Sequence, residues 1–438
     1  MAKDFSRRSL IKGAAGVAAG ATMLGAASKT FAAPFRLQST GSDAEITLWT
    51  AFGSGVNGDA QTKLVEDYNA QGNGVTVTSQ PYESYEAVAQ ALITGLQTGD
   101  VPDLAIISDV WWFRFYLSQA LADLTEMADT PDDYVQSLYA DYQRNGGQYG
   151  IPFARSTPLL YFNRDVVEAA GIDESVFGKW SDLVAAAPDM LAANTDMIGA
   201  FGFGNAASYG AWVLQGPTWA FEGHYSDPDF NILIAEEGAV NTGEFMRTFV
   251  ESGNAAAVTD PQTDFQTGGL GAIMASTGSL GSITAAAQFE FGTAFLPEEL
   301  QFGCCTGGSG LSIMSGASDE NKQAAMDFIT FCTNTENATY WAQTTGYMPV
   351  RTSAIESDDF QAFLADNPNN KVAIDQLPKT QPQDSARVFI PNGDQILGRG
   401  WEQILVNNVP AQEAFDEVKQ TLDEEKVPVL ETLKDLEG

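Results

Sequence analysis

Hydrophobic and polar positions alternate along the first hundred residues in a way that sets a fold class. The run Glu45 to Thr50 has strand character, a Gly-rich loop follows, and a helix near Asp59 to Gln71 is closed by Gly72. Gly74 to Ser79 reads as a second strand, Ser84 to Gln97 as an amphipathic helix stopped by Gly99, and Asp103 to Ile107 as a third strand. This β-α-β-α-β order predicts an α/β fold with a largely parallel sheet. Two more extended runs, Gln148 to Phe153 and Leu159 to Asp165, flank the polar link Ala154 to Pro158. Further alternation follows: a helix from Trp180, a strand at Gly199 to Phe203, a helix through Trp212 and a strand at Ala272 to Ala275. The last third runs from a Gly-rich stretch, Thr306 to Gly310, through a strand at Leu311 to Met314 and a helix over Glu320 to Thr333. Beyond Gly346 to Val350 the pattern is mostly helical, and no internal repeat or low-complexity segment stands out.

The start of the chain follows a different logic. Ser6-Arg7-Arg8-Ser9-Leu10-Ile11-Lys12, an uncharged stretch from Gly13 to Ala27 and a small-residue site near Ala32 form the three parts of an export signal over residues 1–33, with the arginine pair of the twin-arginine type. The uncharged stretch is shorter than the roughly 20 residues a spanning helix needs. Residues 34 to 43 read as a flexible lead-in. The cysteines are Cys304, Cys305 and Cys332, none of them just after the signal, so no lipid anchor is expected. A periplasmic or extracellular location follows.

Composition narrows the partners. Of 438 residues, 22 are Lys or Arg and 57 are Asp or Glu, a formal charge of −35. Removing the signal makes it more negative still, which disfavours nucleic acid and anionic membranes. The single histidine, His224, argues against a His-based metal site, and no metal or cofactor is expected. Three cysteines are too few for a disulfide framework. Cys304 and Cys305 read as small buried residues, with a disulfide from one of them to Cys332 left open.

The motif Gly53-Ser54-Gly55-Val56-Asn57-Gly58 matches G-x-G-x-x-G between a strand and a helix, with Glu83 following the second strand. On paper this is a dinucleotide fingerprint. Asp59, Gln61 and Lys63 follow it, however, where small residues should pack the helix on the sheet, so the motif reads better as a turn at a helix start. The sequence contains no G-x-S-x-G, H-E-x-x-H or Walker A pattern. A paired-carboxylate hydrolase needs only two acids and leaves no such trace.

Several landmarks together resemble the extracellular solute-binding proteins of ABC importers, of the sugar-transport type, and within them the glycerol-3-phosphate binders. They are Tyr85-Glu86, Ser156-Thr157-Pro158 with Tyr161 and Asn163, Ser276 to Leu280, Gly307-Gly308, and Thr345 to Pro349. The resemblance implies a two-lobed α/β periplasmic-binding-protein fold, with hinge crossings and a ligand cleft between the lobes. Lobe one would comprise 44–153 plus 312–355, and lobe two 154–311 plus 356–432. It also implies ligand contacts at Tyr85, Asp109, Ser156, Trp212, Ser276, Gly308, Tyr347 and Arg387, with Tyr209 where the relatives have a second tryptophan. Asp109 replaces a glutamate, and the match at Arg387 needs a one-residue gap.

On this reading no residue is catalytic and the chain is not an enzyme. It would be a monomer that carries a small polar ligand to the membrane permease subunits of an ABC transporter. The implied ligand is glycerol-3-phosphate or a glycerophosphodiester such as glycerophosphocholine. A neutral mono- or oligosaccharide is the alternative, and an exported enzyme the second alternative.

The residue chemistry suits such a ligand. Asp109 can accept from two adjacent hydroxyls, and Trp212 offers a flat apolar wall, with Tyr209 expected three residues earlier on the same helical face. The Ser156, Ser276 and Tyr347 hydroxyls, the Gly308 N–H and the Arg387 fork suit a phosphate. Asp109 is then expected at the far end of the site, away from the anion. The plainer alternatives are an N-cap for Asp109, a core position for Trp212 or Tyr209, and a surface ion pair for Arg387. Trp111 and Trp112 are weaker candidates for the apolar wall.

Overall fold

The computed structural model describes residues 44–205 and 209–438. The export signal and lead-in fall outside these residues. The β-α-β-α-β start is present as Ala44–Thr50, Gly55–Ala70, Val75–Pro81, Tyr85–Thr98 and Leu104–Ser108. Its local causes are those the sequence announces. The Ser84 hydroxyl accepts from the Ala87 N–H to cap the second helix, and Gly99 ends it in the left-handed region at φ 82.

Two five-stranded sheets organise the chain. The first runs Val75–Pro81, Ala44–Thr50, Leu104–Ser108, Gly307–Ile313, Ile151–Ser156. Its first three strands are parallel and the last two join antiparallel. The second runs Phe291–Ala294, Pro158–Asn163, Ala272–Ser276, Phe201–Gly204, Ala255–Val258. Thr157 alone separates a strand of the first sheet from a strand of the second. Residues 154–156 and 307–311, which the sequence reading placed with the second lobe, pair within the first sheet. The last helix, Ala411–Glu437, ends where Glu437 accepts from the Tyr116 hydroxyl at 2.9 Å and pairs with Arg144 at 2.7 Å.

The strand expected from Leu311 begins earlier, at Gly307, so that the Gly-rich stretch forms the first half of Gly307–Ile313. Its glycines answer to close approaches. A Cβ on Gly307 would sit 2.4 Å from Trp212 Nε1, and one on Gly310 3.0 Å from the Tyr142 ring. Gly308 has φ +101, just before the register shifts at Ser309/Gly310. Glycine there signals a wall against which aromatic rings lie flush. Cys304, Cys305 and Cys332 are all buried and free, so the disulfide left open does not form.

Candidate ligand-binding site

The end of the strand Leu104–Ser108, the crossing at Ser156 and the start of the strand Gly307–Ile313 converge on one cavity of about 160 Å³. All nine sequence-predicted residues line it: Tyr85, Asp109, Ser156, Tyr209, Trp212, Ser276, Gly308, Tyr347 and Arg387. They come from elements far apart in the chain, so their meeting is a product of the fold.

The walls are built from below. The Trp212 indole lies over Gly307 and donates to the Thr306 carbonyl at 3.0 Å, which fixes the ring plane. Tyr347 stacks on Trp341, with ring centroids 5.8 Å apart at 17°. Its hydroxyl is 3.2 Å from that of Tyr85, which in turn accepts from Ser309. Burial pushes both phenols up, so they stay protonated and able to donate. The Ser276 hydroxyl accepts from the Gly278 N–H, while its carbonyl is held by the Tyr161 hydroxyl at 2.7 Å.

Arg387 is buried, 3% exposed, and is not in a surface pair. Its Nε donates to Asp394 at 2.6 Å, and its fork also meets Asp109 at 3.4 Å and the Gln383 carbonyl oxygen. Burial works against its charge, but Asp394 and Asp109 outweigh it and raise the pKa. Asp109 accepts from the Gln383 amide at 2.5 Å. It caps no helix, since the next one starts at Trp112 with Trp111 as its cap. The expectation that Asp109 lies at the far end from Arg387 is therefore wrong. A buried guanidinium needs a counter-charge in contact, and Asp109 supplies part of it.

Two further expectations change. Tyr209 is not on the helix with Trp212: it precedes Gly210–Ala220 as the cap, with φ 56. Trp111 and Trp112 do not face this cavity. Both are buried in the core, where Trp112 meets Phe113 and Tyr142, and Trp112 lines a separate cavity with Asp141 and Phe389.

Sequence reasoning missed Asn57, Glu86, Ser108 and Asp394 on the cavity wall, and Gln383 bonded to it. Asn57 belongs to the G-x-G-x-x-G motif, and its amide reaches the Gly278 carbonyl at 3.5 Å. Gly58 is there for a tight turn, since a Cβ would come 2.9 Å from the Gly53 carbonyl carbon. Glu86 and Ser108 each adjoin a predicted residue, which was the available signal. Asp394 and Gln383 carried none.

Two mixed α/β sheet units sharing a polar, aromatic-walled cleft, with each cleft residue fixed by the scaffold around it, define a protein that holds a small solute. The chain belongs to the bacterial extracellular solute-binding protein family, whose model matches residues 63–372. Among solved structures it is similar to UgpB from Mycobacterium tuberculosis in complex with glycerophosphocholine, at 37% identity and TM-score 0.82, covering 89% of this chain and 99% of that one. Among curated relatives it is similar to the sn-glycerol-3-phosphate-binding periplasmic protein UgpB of Escherichia coli (strain K12). That match is 25% identical over 400 residues, covering 85% of this chain and 90% of the relative. A cyclic alpha-maltosyl-1,6-maltose binding protein from Arthrobacter globiformis shares the two-lobed fold at 21% identity and TM-score 0.75, covering 87% of this chain and 99% of that one.

Proposed function

We propose that this chain is the substrate-binding component of an ABC importer, capturing glycerol-3-phosphate or a glycerophosphodiester by lobe closure and making or breaking no bond. The observation that carries this reading is the single cavity lined by all nine predicted residues. Its neutral donors surround one guanidinium, the pattern that suits a phosphate ester in an otherwise acidic protein. Tyr85, Trp212 and Tyr347 supply apolar faces for a carbon backbone. The relatives that are named for glycerol-3-phosphate and glycerophosphocholine support the same choice.

The lobes follow the two sheets, roughly 44–156 plus 307–355 and 157–306 plus 356–437, with crossings near Ser156 and Thr306. Contacts between these parts, such as Asn57 to Gly278 and Asp109 to Arg387, are candidates for what closure would make and opening would break. The ligand passes from here to the permease subunits, and the protein works as a monomer. Arg7 and Arg8 support twin-arginine export to the periplasm or cell exterior, without a lipid anchor.

One feature favours a second reading. Asp109 and Asp394 already neutralise Arg387, which suits a neutral saccharide that asks for no free cation. A thermal-shift panel of glycerol-3-phosphate, glycerophosphocholine, maltose and trehalose separates the two, because a ligand that binds only the native state raises its melting temperature. A shift from a phosphate ester alone supports the proposal. A shift from a sugar alone replaces it with the saccharide, and turnover of any bound ligand by the pure protein sinks the binding-only reading.

A further inference from the structure

Gln383 approaches the ligand cavity from behind. It lies in the link from Thr380 to Asp384, just ahead of the turn Ser385–Val388 that carries Arg387. Its side chain lines a neighbouring cavity of about 250 Å³, and Asp109 is the residue that this cavity shares with the ligand cavity. From that side the amide nitrogen of Gln383 donates to Asp109 Oδ2 at 2.5 Å, while its amide oxygen accepts from Arg387 Nη1.

A carboxylate only accepts and a guanidinium only donates, so a side chain that joins them must do both. Glutamine does, and its two partners fix which way the amide faces. Arg387 Nε is taken by Asp394 and Nη1 by this amide, while Nη2 has no hydrogen-bond partner among the described residues. The direct contact between Arg387 and Asp109 is long, at 3.4 Å. A charge-assisted pair left to itself closes to about 2.7–2.9 Å. The amide thus keeps two opposite charges from turning fully to each other and away from the cavity. The link does not depend on this amide for its path. Asp384 accepts from Trp219 Nε1 at 3.1 Å and from the Tyr225 N–H at 2.6 Å, and the Gln381 N–H donates to the Cys304 carbonyl at 2.9 Å.

We propose that Gln383 is a positioning residue, which touches no ligand itself but holds Asp109 and Arg387 apart so that both stay turned to the cavity; this rests on the phosphate-ester reading above. Calorimetry with the whole protein tests it, using glycerol-3-phosphate and glycerophosphocholine, with maltose as control. In Gln383→Met, similar in length but without either hydrogen bond, Asp109 closes on Arg387 and ester affinity should fall about tenfold. The same change made in an Asp109→Asn background should cost no more than about twofold, because no carboxylate is left to close on the guanidinium. A residue that only supported the link would cost the same in both backgrounds. Gln383→Glu, nearly isosteric, keeps the acceptor for Arg387 but sets a carboxylate against Asp109. It should lose as much ester affinity as Gln383→Met, and it decides alone if that variant fails to fold. Unchanged ester affinity in these variants, or an equal loss in both backgrounds, overturns the positioning role and leaves the phosphate-ester reading in place. If the wild type binds neither ester while maltose binds, that reading falls and the positioning role with it.

Discussion

Arg155 and Arg387 are both buried arginines paired with aspartate, and they behave as different kinds of site. Arg155 is fully buried, pairs with Asp141, leans over Tyr142 and leaves its Nε without a partner. Asp141 also accepts from Thr306 at 2.8 Å, and its carboxyl is pushed up by burial while Arg155 pulls it back. Arg387 meets two carboxylates and an amide, and it lines the cavity beside Ser156, Trp212 and Tyr347. Burial and pairing alone therefore do not mark a binding arginine. On the function proposed above, a place on the cavity wall beside other donors does.

The contrast breaks most sharply at Arg155. Arg155→Met should leave Asp141 buried without its counter-charge and destabilise the fold by about 3–5 kcal/mol in urea unfolding. Arg155→Met combined with Asp141→Leu should recover most of that loss, because no unpaired charge remains. Recovery of neither would mean the pair does not act as a unit.

Arg387→Ala should weaken binding in addition to costing stability, since it leaves Asp109 and Asp394 buried without their counter-charge. Phosphate-ester affinity should drop about ten- to a hundredfold, or about 1.5–3 kcal/mol, while a neutral polyol of similar shape changes little. Asp109→Asn should weaken both ligand types, since the carboxylate accepts from hydroxyls in each. Calorimetry on both variants reads the difference. Unchanged ester affinity in Arg387→Ala would erase the contrast with Arg155 and favour the saccharide.

Gly307→Ala tests the wall between the two clusters. The new methyl would lie 2.4 Å from Trp212 Nε1, displacing the indole and its bond to Thr306. The expected cost is about 1–3 kcal/mol of stability with weaker ligand binding. A variant that keeps full affinity would show that Trp212 is a core residue and not a wall.

The smallest effect belongs to His224, outside both clusters. Its hydrogen bond to Asp384 raises the imidazole pKa, with burial opposing. A raised folded value means that the stabilisation is complete below the ordinary imidazole range and is lost as pH rises through the folded value. With the side chain 43% exposed, solvent screening limits it to under about 1 kcal/mol. Wild type minus His224→Gln, measured by unfolding from pH 5 to 8, should shrink with rising pH. A constant difference would leave the contact purely structural.

Much of the fold was legible because its signals are local. The first three strands and two helices lie within a few residues of their predicted bounds, since periodicity, the Ser84 cap and the Gly99 stop all act within a turn or two. The strand predicted at Leu311 to Met314 was started too late because glycine lowers strand propensity, while the reason for the glycines at its start, the Trp212 and Tyr142 rings, comes from elsewhere in the chain. Tyr209 was assigned to a helix face because its spacing from Trp212 fits, but its backbone left the helix.

By itself the sequence determined the α/β class and, through the resemblance to solute-binding proteins, the nine residues that share the cavity. Only the tertiary structure decided how their charges meet. Asp109 and Arg387 are 278 residues apart, and no periodicity or spacing could reveal that one neutralises the other. The same holds for Trp111 and Trp112, which the fold turns into the core, and for Glu86, Ser108 and Asp394, which it turns onto the cleft. Backbone preferences act over a few residues, whereas side-chain direction and charge balance are settled by whichever distant segments pack alongside.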